Sequence, residues 1–405
     1  MRMVILGGGF GGVSVYKAMR KKVQGSLSIT LINKHNFFWF TPMLHEVATG
    51  SVTREHVTLP LREIIRHPHD TFVRAEVTFV DTAHQLVHTS EGSFPYDQLV
   101  LALGSTGSDR GVTGVREYAL PFRFLEDGVT VRNKIIEQFE KASRLVSDEE
   151  REVELQFVIV GGGFTGTELA AQLADWVDDL CHIYRISRSL PRITLLHGGP
   201  CLVPQLHVDS SKTTERILVN KKIEVVCNAF VVDVTSHSVV LRDATHVHSS
   251  VTVWTAGFAS PLPALLPEAM LDEKGWLRMK GDGRVEGFAQ VWGIGDCAHG
   301  GAFAKIPQNA QAAEMMGEQI ARNIIRVVKK QSTLVITYQS RGNLIPLGDW
   351  NGVAEIGLVR FSGKIAWWLR RTVFLMRLPT LRDRLGVMFD WTLRIFGPRD
   401  TSEWK

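Results

Sequence analysis

Cysteine is scarce in this sequence, with four residues in 405. They are Cys181, Cys201, Cys227 and Cys297. No two of them stand in C-x-x-C spacing, and the fourteen histidines show no paired metal-ligand spacing. The scattered cysteines therefore predict a reducing compartment and argue against a reaction that passes through a redox disulfide, and no metal site is expected.

Long apolar runs are also absent. No helix-compatible run reaches the roughly 20 residues that span a bilayer. The first strand pattern begins at residue 1, so no secretory signal is expected before it. A hydrophobic content of 44% and a charged content of 22% are those of an ordinary globular protein, and the length predicts two or three domains.

Glycine is concentrated in two matching places. The stretches "MVILGGGFGGVSVYKAM" from Met3 and "FVIVGGGFTGTELAAQL" from Phe157 each run from an apolar strand through G-x-G-x-x-G into a helix. The first glycine permits the tight turn, the second lets a pyrophosphate approach the backbone, and the third lets helix and strand pack closely. Free N–H groups at the helix N-terminus then face the phosphate charge. Two such turns predict two bound dinucleotides.

The residue that ends the next strand is unusual in both units. The strand "LSITLIN" ends at Asn33, 21 residues after Gly12, where an acidic residue usually binds a ribose hydroxyl. An amide can make that hydrogen bond without charge assistance. In the second unit, "RITLLHGG" places His197 where an enzyme that prefers NADH commonly has an acid.

The order of the motifs predicts an α/β fold with two Rossmann-like dinucleotide-binding domains. We expect one domain at 1–118 and a second at 119–280, with a charged linker at 147–154. The strand before Asp296 and the helix beginning near Gln308 return the chain to the first domain at 281–335. The second domain is therefore inserted in the first, and residues 336–405 form a C-terminal segment.

The C-terminal segment is basic and aromatic. Between Lys364 and Arg399 there are eight Lys or Arg and two Asp, which leaves −2 for the rest of the chain. Nucleic acid is one interpretation of a basic tail, but the aromatics favour a membrane surface. Two amphipathic helices are expected, with Arg370, Arg371 and Arg377 at the lipid headgroups. The apolar residues expected to face the lipid are Ile365, Trp368, Leu369, Val373, Met376, Leu381, Leu385, Met388, Phe389, Thr392 and Phe396. Packing on the enzyme or on a second subunit stays an alternative.

With these motifs, the chain resembles the type II NADH:quinone oxidoreductases, which are single-subunit, non-proton-pumping members of the pyridine nucleotide-disulfide reductase superfamily. The resemblance covers essentially the whole chain. "FTPMLHEVATG" resembles the segment beside the isoalloxazine ring, "GIGDCA" the second FAD signature, and the tail the membrane-binding segment. It implies non-covalent FAD at the first glycine turn and NADH at the second, with NADPH left open. It also implies a membrane quinone as acceptor and peripheral attachment to the cytoplasmic face of a membrane with anionic lipids.

The resemblance also implies the site residues. Those for FAD are Gly7, Gly8, Gly9, Phe10, Gly11, Gly12, Asn33, Val77, Gly104, Asp296, Ala310 and Gln311. Those for NAD(P)H are Gly161, Gly163, Thr165, Gly166, Glu168, His197 and Gly257. Glu168 and Gln311 are the expected catalytic residues, and Gln311, Met315 and Lys364 the expected quinone residues. The family's A-Q-x-A-x-Q-Q pattern ends here in Met315-Met316 instead of two glutamines.

Four other functions stay open. A soluble ferredoxin reductase-like flavoprotein would have no use for the tail, and a disulfide reductase would need a cysteine pair. A sulfide:quinone oxidoreductase would need redox cysteines near the flavin. A nucleotide-sensing protein would keep both glycine turns without turnover. A homodimer also stays open, and no nucleic-acid partner is expected.

Overall fold

The computed structural model describes residues 1–23, 25 and 27–404. The chain forms two compact units. The first comprises Met1–Trp39, Thr58–Thr106 and Phe258–Ser340. The second comprises Phe40–Val57, Gly107–Gly257 and the chain from Arg341 onward. The domain boundaries drawn from the motifs stay a prediction.

Helices and strands alternate around the two glycine turns, whereas residues 71–107 and 223–254 form runs of consecutive strands. The helices are α1 (Phe10–Lys22), α2 (Leu44–Ala48), α3 (Leu61–Ile64), α4 (Val115–Tyr118), α5 (Leu125–Ser143), α6 (Asp148–Glu154), α7 (Phe164–Tyr184), α8 (Val208–Asn220), α9 (Ala310–Val328), α10 (Lys364–Arg377) and α11 (Leu381–Phe396). The strands are β1 (Arg2–Leu6), β2 (Ser28–Asn33), β3 (Phe37–Trp39), β4 (Thr58–Pro60), β5 (Thr71–Arg74), β6 (Val77–Asp81), β7 (Leu86–Thr89), β8 (Gly92–Pro95), β9 (Gln98–Leu101), β10 (Thr106–Gly107), β11 (Ala119–Pro121), β12 (Gln156–Val160), β13 (Arg192–Leu196), β14 (Ile223–Val226), β15 (Val231–Val234), β16 (Ser238–Leu241), β17 (His246–His248), β18 (Val251–Trp254), β19 (Phe258–Ala259), β20 (Val291–Gly293), β21 (Asn343–Pro346), β22 (Gly352–Ile356) and β23 (Val359–Ser362).

The first unit is built on a parallel sheet in the order β20-β9-β1-β2-β5. Its strands are short apolar runs, and Ile5, Leu31 and Val100 are fully buried, because both faces of the sheet are covered. An antiparallel meander, β6-β7-β8, accompanies it. Since parallel strands end at the same edge, the turn after β1 and the end of β2 lie together at the edge where such sheets bind ligands.

The second unit repeats this plan with a parallel sheet in the order β11-β18-β12-β13-β14. It adds two antiparallel sheets, β15-β16-β17 and β21-β22-β23, and the helices α10 and α11. The chain leaves the first unit near residue 106 and returns at 258. The predicted fold class, with two Rossmann-like domains and one inserted in the other, is confirmed.

The stretch predicted as a charged linker is a helix, so that interpretation is wrong. Ser147 accepts a hydrogen bond from the N–H of Glu150 at 3.1 Å and begins α6. The Glu150 side chain returns to the Ser147 N–H, which completes a capping box that the sequence S-D-E-E already contains.

Within the described residues, the helices are too short or too polar to cross a bilayer.

Candidate active site

In the first glycine turn, the three motif glycines differ in the space around them. Gly7 has φ +106°, and a Cβ there would lie 2.1 Å from the carbonyl oxygen of Ala102. A Cβ on Gly12 would lie 1.9 Å from the carbonyl oxygen of Gly7, so helix and turn pack too closely for a side chain. At Gly9, in contrast, a Cβ would meet nothing within 4 Å. The backbone is open only at the position where a pyrophosphate would approach, and the turn fits that group.

The second glycine turn has the same geometry. Gly161 has φ +120°, and a Cβ there would lie 2.5 Å from Oγ1 of Thr255. A Cβ on Gly166 would lie 1.9 Å from the carbonyl oxygen of Gly161, whereas at Gly163 it would meet nothing within 4 Å. Thr255, which the sequence did not single out, holds the turn through its hydroxyl, 2.9 Å from the carbonyl oxygen of Val160. This turn fits a second pyrophosphate.

The two strand-end residues hold the turns in the same way. The N–H of Gly8 donates to Oδ1 of Asn33 at 2.9 Å, and the N–H of Gly162 donates to Nδ1 of His197 at 3.2 Å. The Asn33 amide nitrogen donates to the carbonyl oxygen of His35 at 2.7 Å, which fixes its orientation. Burial lowers the pKa of His197, although the Cys201 backbone opposes this shift, so the ring is neutral at pH 7. Neither unit has a carboxylate at this position.

The stretch "GIGDCA", which contains Asp296, lies in the first unit. A carboxylate oxygen of Asp296 accepts from the hydroxyl of Ser105 at 2.8 Å, and the backbone oxygen of Asp296 accepts from the side chain of Gln308 at 3.1 Å. The helix α9 begins with Ala310 and is capped by Asn309, whose Oδ1 accepts from the N–H of Ala312 at 2.8 Å. Gln308, which lies just before α9, therefore links the start of that helix to Asp296.

The remaining predicted residues of the first unit are placed as follows. Gln311 lies in the first turn of α9 and accepts from the hydroxyl of Tyr338 at 3.3 Å. Met315 is half-buried, whereas Met316 is buried and lines a small pocket with Phe303 and Ile306. Gly104 has φ +69° with open space around it, and Phe10 packs edge-on against Phe38 at 5.0 Å. Gly11 packs against Ile294, and Val77 is buried at the start of β6.

In the second unit, Thr165 and Glu168 lie in the first turns of α7. Gly257 has φ +92° and lies against the Arg110 side chain. Lys364 is the first residue of α10 and is exposed. The structure brings Glu168 next to a cluster that the sequence did not predict.

That cluster is a buried set of charged groups around α2. The Glu46 carboxylate pairs with Arg370 and accepts from the indole N–H of Trp391 at 2.7 Å. His45 places Nε2 3.4 Å from the Arg370 guanidinium and Nδ1 3.4 Å from the carboxyl of Glu168. Because a guanidinium can only donate, Nε2 is the acceptor and the proton is assigned to Nδ1, which faces Glu168.

The protonation states follow from burial and from the sign of the neighbouring charges. Burial raises the pKa of Glu168 to about 8, against the opposing effect of Arg370. Burial and Arg370 lower the pKa of His45 to about 3. Burial alone would raise the pKa of Glu46, but Arg370, His45 and Arg371 together lower it to about 2. At pH 7, Glu168 is therefore protonated, His45 is neutral and Glu46 is ionised.

The positions of two tail arginines contradict the sequence prediction. Arg370 and Arg371 are 2% and 9% exposed, so they do not lie at a lipid surface. Arg371 lies between Trp367 and Trp391, 3.8 and 4.4 Å from the ring centres. The prediction failed because the helix pattern shows which residues share a face, but not that Glu46, 324 positions away, neutralises a buried arginine.

The apolar residues of the same helices face outward. On α10 these include Ile365, Trp368 and Met376, which are 72%, 54% and 67% exposed. The exposed large apolar residues of α11 are Leu381, Leu385, Met388, Phe389, Leu393 and Phe396. Leu369 and Val373 are half-buried and Thr392 is exposed. The helices thus bury arginine and aspartate and expose aliphatic and aromatic side chains, the reverse of the usual distribution.

Known proteins resemble the chain over almost all of its length. The type II NADH:quinone oxidoreductase of Staphylococcus saprophyticus is 27% identical over 381 residues, covering 92% of this chain and 94% of that protein. Its counterpart from Staphylococcus aureus is 28% identical over 389 residues, with the same coverage.

Solved structures match the fold. The structure of NDH2 from Plasmodium falciparum in complex with NADH gives a TM-score of 0.89 at 20% identity, covering 99% of both chains. The sulfide:quinone oxidoreductase of Aquifex aeolicus gives 0.76 at 18% identity, covering 98% of this chain and 95% of that one.

The family profile covers both glycine turns and the Asp296 signature. Residues 1–317 match the pyridine nucleotide-disulphide oxidoreductase profile, and the chain belongs to that family.

Proposed function

We propose that the chain is an FAD-dependent NADH:quinone oxidoreductase. The observation that carries this function is the pair of glycine turns, each of which closes around its first and third glycines and leaves its middle glycine open. The quinone acceptor is supported by the staphylococcal relatives, whose names state that activity and which match 92% of this chain.

FAD fits the first unit. Its pyrophosphate would lie against Gly9, with Asn33 at the adenosine ribose and Asp296 at the ribityl chain. When bound, the flavin supplies the chemistry, taking a hydride from NADH and passing two electrons to the quinone. The N-terminus of α9, at Ala310 and Gln311, would direct N–H groups and the positive end of the helix dipole toward the flavin, favouring the negative charge of its reduced form.

NADH fits the second unit. Its pyrophosphate would lie against Gly163, and its adenosine ribose at the end of β13 beside His197. Because His197 is neutral and backs the turn, no carboxylate repels a 2′-phosphate. NADPH is therefore expected to bind as well, with weak discrimination.

Glu168 is the proposed proton donor to the quinone. Reduction of a quinone by two electrons consumes two protons. One would come with the hydride that NADH supplies, and Glu168 would supply the other, because desolvation raises its pKa to about 8 and it carries a proton at neutral pH. The Nδ1–H of His45 lies 3.4 Å from that carboxyl. Gln311, Met315 and Lys364 are the proposed contacts of the quinone head group.

We further propose that the enzyme is attached to the cytoplasmic face of a membrane through α10 and α11. Their exposed apolar side chains suit the region between headgroups and acyl chains, and the exposed bases Lys364 and Arg382 suit anionic lipids. Free cysteines fit a reducing compartment. A second copy of the chain is the alternative occupant of the same apolar face.

Two measurements test the function. Heat-released cofactor, separated by chromatography, should be FAD at one per chain, and FMN or no flavin would contradict the assignment. NADH oxidation should be fast with a soluble quinone analogue and slow with a ferredoxin. The reverse preference would favour the ferredoxin reductase-like alternative.

A further inference from the structure

The turn between β22 and β23 exposes aliphatic side chains. Leu358 is 97% exposed, Val359 62% and Ile356 41%. Two-residue hairpin turns normally consist of Asn, Asp and Gly, which tolerate water and positive φ. Here Gly357, with φ +59°, supplies the turn geometry, so nothing in the backbone requires a leucine at position 358. The exposed Leu358 at the tip therefore indicates a binding partner outside the fold.

The hairpin does not need these residues for its own packing. The sheet β21-β22-β23 buries Val353 and Ala354 (3% and 0% exposed). Helix α10 covers this sheet with Ala366 and Trp367, and a Cβ on Gly352 would lie 3.1 Å from the backbone nitrogen of Trp367. The tip therefore projects beyond a core that is already complete.

The tip and α10 form one continuous element. Only Gly363 separates β23 from α10, and the N–H of Gly363 donates to the carbonyl oxygen of Gly352 at 2.9 Å. Trp350, in the turn at the other end of the sheet, stacks on Trp367 at 4.6 Å. The hairpin is therefore held rigidly to a helix whose outer face is apolar.

The charges of this region are sorted by sign. Residues 351–396 contain three acids, and each is turned toward the protein. Glu355 accepts from the N–H of His207 at 2.9 Å, Asp383 is 5% exposed, and Asp390 lies 2.7 Å from the His56 ring. The bases Arg360, Lys364 and Arg382 are exposed. The outer surface is thus apolar and positive, which fits an anionic bilayer. A protein interface has a polar rim, whereas these exposed charges are all positive.

We propose that the hairpin tip, Ile356–Val359, is a membrane contact in addition to α10 and α11. The inference rests on the proposed membrane attachment and extends it. Leu358 enters the interfacial region as a wedge, and Arg360, two residues away, meets the headgroup phosphates. A contact outside the two helices prevents them from rolling on the surface and fixes the orientation of the second unit relative to the bilayer.

The test uses the full-length holoenzyme and vesicles containing phosphatidylglycerol. An environment-sensitive fluorophore is attached at L358C, with V146C as the matched control, because Val146 is 92% exposed in the loop between α5 and α6. Cys201 and Cys227, which are partly exposed, are changed to serine in both proteins so that the fluorophore does not label them. Cys181 and Cys297 are buried and are kept. A blue shift and protection from an aqueous quencher are expected at position 358 only. L358D should also lower the vesicle partition coefficient about tenfold, with V146D unchanged.

Each outcome separates the two proposals. If the protein floats with the vesicles and the probe at position 358 stays open to the quencher, the hairpin contact is wrong and the attachment through α10 and α11 stands. If the wild-type protein does not float, both proposals fail. If the probe is protected at the same degree without vesicles, the tip is covered by a second copy, and the lipid assignment is wrong.

Discussion

The ion pair between Glu46 and Arg370 should be essential to the stability of the second unit. Arg370→Met removes the guanidinium and keeps most of the side-chain length. It abolishes the ion pair, the hydrogen bond to the carbonyl oxygen of Pro42 at 3.1 Å, and the contact with the Phe374 ring at 4.4 Å. Glu46, with a side chain 4% exposed, is left as a buried carboxylate without its main partner.

The expected loss of unfolding free energy is about 3 to 5 kcal/mol, the range for breaking one side of a buried pair. The depressed pKa of Glu46, which reflects the same contacts, gives a similar figure. A pKa of about 2 instead of the ordinary 4.5 corresponds to about 3 kcal/mol at neutral pH. Arg371 and the Trp391 N–H remain near the carboxylate, so the lower end of the range is expected.

The effect should depend on pH in a defined direction. In the wild type the folded pKa of Glu46 is depressed, so its contribution is present above pH 4.5 and is lost as the pH falls toward 2. In R370M, burial raises this pKa instead. The penalty then grows as the pH rises above 4.5, and the gap between variant and wild type should narrow from pH 7 to pH 4.5. Arg370 also lowers the pKa of His45 and of Glu168, so R370M raises both pKa values, and each change narrows the gap in the same direction as the pH falls.

Urea unfolding followed by tryptophan fluorescence measures this gap, since Trp367 and Trp391 lie in the affected region. R360M is the matched control, because Arg360 is exposed and its loss should change stability by less than about 0.5 kcal/mol. The double variant E46Q/R370M should recover part of the loss. A loss below about 1 kcal/mol that does not vary with pH would show that the pair is solvated, and would refute the buried cluster.

Three further predictions concern the cofactors and the proton. G9V should fold but lose its flavin, because a Cβ at this position meets no protein atom within 4 Å and a branched side chain would occupy the space that the pyrophosphate needs. G12V should instead lose the fold, because a Cβ there would lie 1.9 Å from the carbonyl oxygen of Gly7. Flavin retained by G9V would show that the pyrophosphate does not lie against Gly9. H197E should raise the ratio of NADH to NADPH affinity, measured by calorimetry, whereas a wild type that already rejects NADPH by orders of magnitude would contradict the interpretation of His197. E168Q should slow reoxidation of the reduced flavin by quinone about 100-fold at pH 7 in stopped-flow. In the wild type the reoxidation rate should fall as the pH rises through about 8, whereas in E168Q it should not fall in this range. The same dependence of rate on pH in both proteins would exclude Glu168 as the donor.

Local sequence predicts the parts of the fold that local physics determines. The glycine turns, their flanking strands and the helix at Ala310 follow from short motifs, because the turn, the close approach and the cap are each made by residues within a few positions. The α6 helix could also have been predicted, since the Ser147–Glu150 capping box is visible in the sequence.

Sequence does not predict pairings between distant residues. Glu46 and Arg370 are 324 positions apart, and no periodicity links a buried acid in α2 with an arginine on a helix that exposes its apolar face. The protonated state of Glu168 depends on that same cluster. Deletion of 364–405 would remove Arg370, Trp391 and the fully buried Arg399 side chain together with the outer apolar face. Substitutions on the exposed face are therefore the cleaner test of membrane attachment.

The most direct test of the proposed function is an anaerobic titration of the purified yellow protein. NADH is added first, and a soluble quinone analogue second, while the flavin absorbance is followed. About one equivalent of NADH should bleach the flavin, and one equivalent of quinone should fully restore the absorbance, because the flavin carries two electrons between them. A flavin that NADH does not bleach, or a reduced flavin that quinone does not reoxidise, would contradict it.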